Sequence, residues 1–422
     1  MPTTLRSSAA IFAKIGLLSF GGPAAQISLM HRFLVDENPW LTERQFLGGL
    51  NFCMLLPGPE AMQLATYAGW RLHGILGGLI AGLLFVLPGA ALVLALAIVY
   101  VYLGELPLIT TLFVGIKAAV LIIVIEALLK LSRRALVARS HWIIASLAFV
   151  AIFFFRVPFP LIILTAALQG YLQRSDTAVE PEPALPVDVR LSRTLLIMAA
   201  GIVLWSIPFL LILLFDGNPV LTQVGAFFSR LAVVTFGGAY AVLAYMGQDV
   251  VDTYGWLTTG EMMDGLGLAE TTPGPLILVT EFVGFVAAFR TGGLATGLAA
   301  AAVTLWVTFV PCFIWVFAGA PYIEWISSRP RLRKAMSAIT AAVVGVMLNL
   351  ALWFALHVVF RSVDYSSYGP LSVPIISITD IDWRVPLLSL LSAALLLRAR
   401  WNIVTVLVAA STSSYLLTRL MG

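Results

Sequence analysis

The stretch from Phe20 to Pro59 reads FGGPAAQISLMHRFLVDENPWLTERQFLGGLNFCMLLPGP. It returns 216 positions later, from Phe236 to Pro275, as FGGAYAVLAYMGQDVVDTYGWLTTGEMMDGLGLAETTPGP, without a gap. Matched positions include Gly21/Gly237, Gly22/Gly238, Asp36/Asp252, Trp40/Trp256 and Thr42/Thr258. The triplets Pro57-Gly58-Pro59 and Pro273-Gly274-Pro275 also coincide. Chance does not bring prolines, glycines and tryptophan into register at that density. The chain is an internal duplication, so what the first copy builds is built twice.

The medium is set by composition. Of 422 residues, 60% are hydrophobic and 11% charged, against about 25% charged in a soluble domain. Mean hydropathy is +0.98. Apolar runs of about 20 residues, enough for a helix to cross a bilayer, recur from end to end. The expected fold class is an all-α polytopic membrane protein. A net charge of +4 without a basic tail points away from nucleic acid. Cys53 and Cys312 lie in apolar segments without CxxC spacing and read as packing residues. The four histidines do not cluster at metal-ligand spacing, and no metal or other cofactor is expected. Residues 7–30 resemble a signal peptide, but Lys14 interrupts their apolar core; they read as the first membrane helix.

Apolar segments fall near 9–30, 45–70, 75–103, 107–129, 141–156, 158–173, 194–215, 219–246, 262–288, 293–319, 336–360, 385–397 and 402–419. A polar interruption rich in proline and acid, 174–193, separates the halves. The expected organisation is a first repeat over 1–173, a cytoplasmic linker over 174–193, a linking helix over 194–217 and a second repeat over 218–422. Basic clusters at Lys130–Arg139, Arg174–Arg193 and Arg329–Lys334 mark cytoplasmic loops. If every segment spans, an odd number of crossings precedes the second copy. The repeats then have inverted topology, with about six helical segments each and helices broken at FGG(P) and PGP, a plan that secondary transporters share. The half-helices beside PGP, about 20 Å long, are short for a span. Re-entrant and spanning forms both stay open.

Pro-Gly-Pro cannot continue a helix, and broken backbone at membrane depth is tolerated where it lines a cavity. The half-helices starting near Glu60 and Leu276 would aim free N–H groups and positive dipole ends at it, which suits an anion. Gly21, Gly22, Gly237 and Gly238 allow close backbone approach, or close helix packing alone. Ser19 and Thr235 precede them in register and offer hydroxyls. The same offset pairs Lys14 with Arg230, one cation before each FGG. Charges inside membrane helices are costly and usually functional, while snorkelling to the interface is the plainer reading. Lys117 lies in GIKAAVLIIVIEALLK, too deep to snorkel easily. Arg71 and Arg290 read as helix-end residues. Candidate substrate-binding residues are therefore Lys14, Arg230, Ser19, Thr235, Gly21, Gly22, Gly237, Gly238, Gly58, Gly274 and Lys117. Glu270, Glu60 and Glu281 are the candidate proton-coupling carboxylates, because a carboxyl in such a site exchanges protons near neutral pH. Glu60 can also simply complement a helix dipole.

At FGGPAAQISLMH, WLTERQFLGGL, LLPGPEAMQLATYAGW, FGGAYAVL, LAETTPGPLILVTEFVGF and ITAAVVGVMLNLALWF the sequence resembles the chromate ion transporter family in its long two-domain form. The resemblance implies a multi-pass transporter of the cell (inner) membrane that exports chromate by a proton-coupled antiport and confers chromate resistance. Met54 and Glu60 depart from the residues more usual in the family. Its partners would be chromate or a similar dianion, protons and the lipid bilayer; a homodimer stays open. The rivals are uptake of sulfate or a related oxyanion, an intramembrane enzyme, and a non-transporting scaffold. An enzyme would need a constellation such as HExxH or GxSxG, and neither occurs. A scaffold would not need twinned helix breaks.

Overall fold

The computed structural model describes residues 4–173, 191–216, 218–236, 239–323, 329–369 and 371–421. Most of the 174–193 linker, and both Gly237 and Gly238, lie outside the described residues. Among the described residues six helices are long and apolar enough to cross a membrane: Glu60–Leu103, Pro107–Ala135, Leu191–Leu214, Leu276–Tyr322, Pro330–Val359 and Ile403–Leu420. Shorter apolar helices are Arg139–Phe155, Phe159–Leu172 and Pro219–Val234. The protein is an all-α polytopic membrane protein. One small antiparallel hairpin, β1 (Asp364–Tyr368) with β2 (Leu371–Ile375), interrupts the helices. Its Tyr-Ser and Val-Pro-Ile runs were not anticipated as strands.

Both copies of the duplicated stretch build the same series of elements. In the first, α1 (Leu5–Leu18) stops before Gly21 and Gly22, both with positive φ, and α2 (Gly22–His31) follows. A π-helical turn, Arg32–Glu37, leads to a loop closed by the Trp40 N–H donating to the Leu34 carbonyl at 3.1 Å. Then α3 (Glu43–Cys53) runs up to PGP, and α4 (Glu60–Leu103) leaves it. In the second copy, α9 (Pro219–Val234), α10 (Ala239–Gln248), a π turn (Asp249–Thr253), α11 (Thr259–Thr271) and α12 (Val279–Gly319) repeat the order. There Trp256 N–H donates to Val250 O at 3.0 Å.

The start of each third helix is written in the sequence. Thr42 Oγ1 accepts from the Gln45 N–H at 3.3 Å while Gln45 Oε1 accepts from the Thr42 N–H at 3.0 Å. At the matched position Thr258 Oγ1 accepts from Glu261 N–H at 3.3 Å, and Glu261 Oε2 accepts from Thr258 N–H at 2.7 Å. These reciprocal caps satisfy helix-end donors and contribute about 1 kcal/mol each.

The long helices α4 and α12 are hairpins. Each reverses at a glycine with the same unusual backbone, Gly74 (φ 65°, ψ −156°) and Gly293 (φ 73°, ψ −163°). Gly69 lies on the carbonyl of Gly77, and Gly284 lies on the Thr304 hydroxyl, so the two arms of each hairpin pack antiparallel. The first arms, 60–72 and 279–292, are about 20 Å long. Neither crosses a hydrocarbon core of about 30 Å alone. The hinge glycines are 219 positions apart, not 216, because a short 3-10 turn, Leu276–Leu278, precedes α12. In that register Arg71 matches Arg290, each three residues before its hinge glycine.

The chain forms two compact units, and each draws on both repeats. Unit 1 comprises Met1–Ala95, Tyr171–Val242 and Thr272–Lys334. In it α12 packs on α9 and on α8 (Leu191–Leu211). Unit 2 comprises Leu96–Gly170, Leu243–Thr271 and Ala335–Gly422. There α5 (Pro107–Ala135) packs against α11 and the C-terminal helices Arg384–Ala393 and Ile403–Met421. Phe159 stacks on Tyr245 in the same unit, and Gly345 of the helix Pro330–Val359 rests on the carbonyl of Ala145.

Candidate functional site: two crossed helix breaks

In Pro57-Gly58-Pro59 only the glycine has an N–H. That N–H donates to the carbonyl of Thr235, immediately before the second FGG, at 2.9 Å. The Gly274 N–H donates to the carbonyl of Ser19, immediately before the first FGG, also at 2.9 Å. Each repeat's PGP is thus tied to the other repeat's FGG, and both ties lie inside unit 1. The Ser19 and Thr235 hydroxyls are fully buried and turn back onto their own helices. Ser19 Oγ donates to Ile15 O and Thr235 Oγ1 to Leu231 O, each at 2.6 Å. Gly58 (φ 113°) and Gly274 (φ 95°) adopt left-handed backbone at these crossings. A Cβ on Gly58 would stand 2.8 Å from Cys312 Sγ and 3.1 Å from Gln63 Nε2.

Two glutamines, singled out by nothing in the sequence, complete the crossings. Gln26 Nε2 donates to Gly274 O at 2.7 Å and to Ser19 O at 3.2 Å, stitching the second crossing. Gln63 Nε2 donates to Pro57 O at 2.7 Å, bracing the first. Both side chains are buried, at 1% and 0% exposure. Carbonyl acceptors fix which end of each amide is nitrogen. Oε1 therefore points away, and in both it has no hydrogen-bond partner.

The other candidates are distributed over both units. Lys14 and Arg230 are exposed, and Lys14 Nζ lies 4.7 Å from the ring centroid of Phe33. Gly21 is exposed and Gly22 buried. Glu60 opens the first turn of α4. Glu281, on the first arm of α12, is 1% exposed, and its Oε2 has no hydrogen-bond partner. Thr304 and Thr308 on the facing arm also have unpaired buried hydroxyls. Glu270, 5% exposed, belongs to unit 2. So does Lys117, whose Nζ lies 3.3 Å from Asp264 Oδ1; the Tyr100 hydroxyl donates to Asp264 Oδ2 at 2.9 Å. Asp264 was passed over in the sequence because Gly48 occupies the matched position; its isolation in the apolar face of α11 was the available signal. Glu126 pairs with Lys130 one turn on, at 2.7 Å. Among the described residues no three His, Cys, Asp or Glu side chains group as metal ligands.

Paired helix breaks that interlock inside a polytopic helical protein are the architecture of a membrane transporter. The family model for the chromate transporter matches residues 7–171 and 222–414, and the chain belongs to that family. It is 32% identical to a chromate transport protein of Pseudomonas aeruginosa over 80% of this chain and 77% of that one. It is 29% identical to a chromate transport protein of Cupriavidus metallidurans over 83% of each chain. It is also 29% identical to a probable chromate transport protein of Synechococcus elongatus, over 82% of this chain and 83% of that one. No solved structure matches.

Proposed function

We propose that the protein is a secondary transporter that exports chromate, or a closely similar tetrahedral oxyanion, across the inner membrane in exchange for protons, and so confers chromate resistance. The observation that carries this reading is the pair of crossed breaks, together with family membership. Two helix interruptions, one from each repeat, converge there, and an inverted pair of repeats would suit alternating access around one site. Lys14 and Arg230, one from each repeat, would supply positive charge towards that site. Helix N-termini after the breaks would add roughly half a charge each. When no anion is bound, Glu60 and Glu281 would balance that field. A bound anion and a deprotonated carboxylate then compete for the same positive charge, which couples flux to protons. Everted vesicles with an imposed pH gradient test the proposal. Radiolabelled chromate should accumulate inside them and collapse with the gradient. Accumulation only in right-side-out vesicles, with sulfate competing equally, would instead indicate an uptake carrier.

A further inference from the structure

The hairpin of α12 holds three buried oxygens without hydrogen-bond partners. Glu281 Oε2 lies on its first arm, and the Thr304 and Thr308 hydroxyls lie on its second. The three residues are 1%, 0% and 2% exposed. The register of the arms brings them to one level. Gly284 lies on the Thr304 hydroxyl, and a Cβ on Gly297 would stand 2.9 Å from the Phe285 ring. The first arm therefore turns the face between Gly284 and Phe285 towards the second, and Glu281, one turn earlier, is on that face. Gly297, Thr304 and Thr308 share one stripe of the second arm. Because the arms are antiparallel, the turn before Gly284 meets the turn after Thr304. Glu281 thus faces the stretch between Thr304 and Thr308. Close packing alone does not leave a threonine unbonded. In the hairpin of α4, Thr66 meets Gly82 in the same way, yet its hydroxyl donates to Met62 O at 3.0 Å.

We propose that Glu281, Thr304 and Thr308 form a binding site for one sodium ion, which competes with a proton for the Glu281 carboxylate. A buried carboxylate must be neutralised and buried hydroxyls satisfied. A proton on Glu281 does the first but leaves hydroxyls beyond its reach unsatisfied; a small cation does both. Sodium, an ion about the size of calcium, holds oxygens at about 2.3–2.6 Å. Oxygens at right angles around it are then about 3.3–3.7 Å apart, at the edge of hydrogen-bond reach or past it. Oxygens that converge without bonding one another are what such a site leaves in a structure. One carboxylate among neutral hydroxyls matches a single positive charge, whereas calcium takes about 6–8 oxygens, commonly from several carboxylates. Complementing the start of α12 would account for the acid but not for the two hydroxyls opposite it. The hairpin of α4 does not repeat the site: in the register of the hinge glycines its matched residues are Met62, Phe85 and Gly89. The inference rests on the coupling role proposed for Glu281 only in its consequence for flux, where sodium would contend with the coupling proton.

The charged or titratable groups on the elements packed around this hairpin are Arg230 of α9, Arg193 of α8, Glu60 and His73 of α4, and Cys312 and Arg290 of α12 itself. Arg230 and Arg193 are exposed, and the Cys312 thiol donates to the Thr308 carbonyl at 3.4 Å. The test is equilibrium binding of radiolabelled sodium to purified, reconstituted protein in choline buffer, without chromate, from mildly acid to alkaline pH. The wild type should bind sodium saturably, and on the acid side its affinity should fall about ten-fold per pH unit as the proton takes the carboxylate. Glu281→Gln should abolish binding. Thr304→Val and Thr308→Val keep the shape of the side chain and should each weaken sodium about ten-fold, while Thr304→Ser and Thr308→Ser should retain most of it. If Glu281→Gln fails to fold, the pH dependence of the wild type and the contrast between valine and serine decide. Three results would overturn the site: no saturable binding by the wild type, binding indifferent to pH, or unchanged binding in the folded variants. Chromate flux in vesicles is read separately. Flux driven by a pH gradient without sodium binding would end the sodium site alone, and sodium binding without chromate flux would end the exporter reading alone.

Discussion

After Pro59 the chain continues with Glu60 and Gln63; after Pro275 it continues with Leu276, a 3-10 turn and Val279. Before the two breaks the contrast is similar: Gly48 and Met54 in the first copy stand where the second has Asp264 and Glu270. Yet the caps, the loop closures and the crossed N–H bonds agree within a few tenths of an ångström. The matched features are those that satisfy backbone, and the unmatched ones are side chains. Duplication preserved what any broken membrane helix needs and freed the two copies to carry different chemistry. The first copy has buried amides. The second has buried carboxylates, Asp264, Glu270 and Glu281.

The sharpest test of this comparison is orientation, which is all-or-none. Cysteines placed at Asn38 and Tyr254, matched positions in the two loops, should be labelled from opposite sides of the membrane. Buried Cys53 and Cys312 are first replaced by alanine. Labelling of both from one side would end the inverted reading. The next effect in size is Asp264→Asn. It leaves Lys117 without its carboxylate at a partly buried position, and should cost about 3 kcal/mol by chemical denaturation in detergent. Lys117→Met in the same chain should recover much of that loss, and a simple sum of the two single effects would show that the pair is uncoupled. The crossing glycines come third. Gly58→Ala and Gly274→Ala each force a side chain into left-handed backbone, costing about 1–3 kcal/mol. Gly58 should be the worse site, since its new Cβ also meets Cys312 and Gln63. Equal thermal shifts would mean that backbone conformation alone decides. The smallest effect is at the caps. Thr42→Ala and Thr258→Ala should each cost about 1 kcal/mol, with Thr258 slightly larger because its hydroxyl also donates to the Glu261 carboxylate at 2.9 Å.

Much of this architecture was legible from the repeat. The offset of 216 located both breaks, paired Ser19 with Thr235, and put Thr42 and Thr258 before their helices. Three things were not legible, each for a physical reason. The slip to 219 follows the last matched proline, where apolar sequence carries no register; Gly74/Gly293 with Arg71/Arg290 was the only mark it left. The crossed bonds run from backbone N–H to backbone C=O, so no residue type announces them. The Lys117–Asp264 contact joins segments remote in sequence, and a pattern along one helix cannot show it. Interleaving of both repeats within each compact unit was hidden for the same reason.

The crossed bonds also set a schedule. Gly58 has no acceptor until Thr235 has been made, and the Ser19 carbonyl has the Gln26 amide but not the Gly274 N–H until Gly274 has. At ribosomal rates of about 5–20 residues per second, the first break waits about 9–35 s for its partner. Through that interval the first repeat must hold the open Gly58 N–H among lipid, the insertion machinery or water. Early helices therefore cannot lock on arrival. The junction of the two breaks is among the last parts to close, and any failure of the second half leaves the first permanently unfinished.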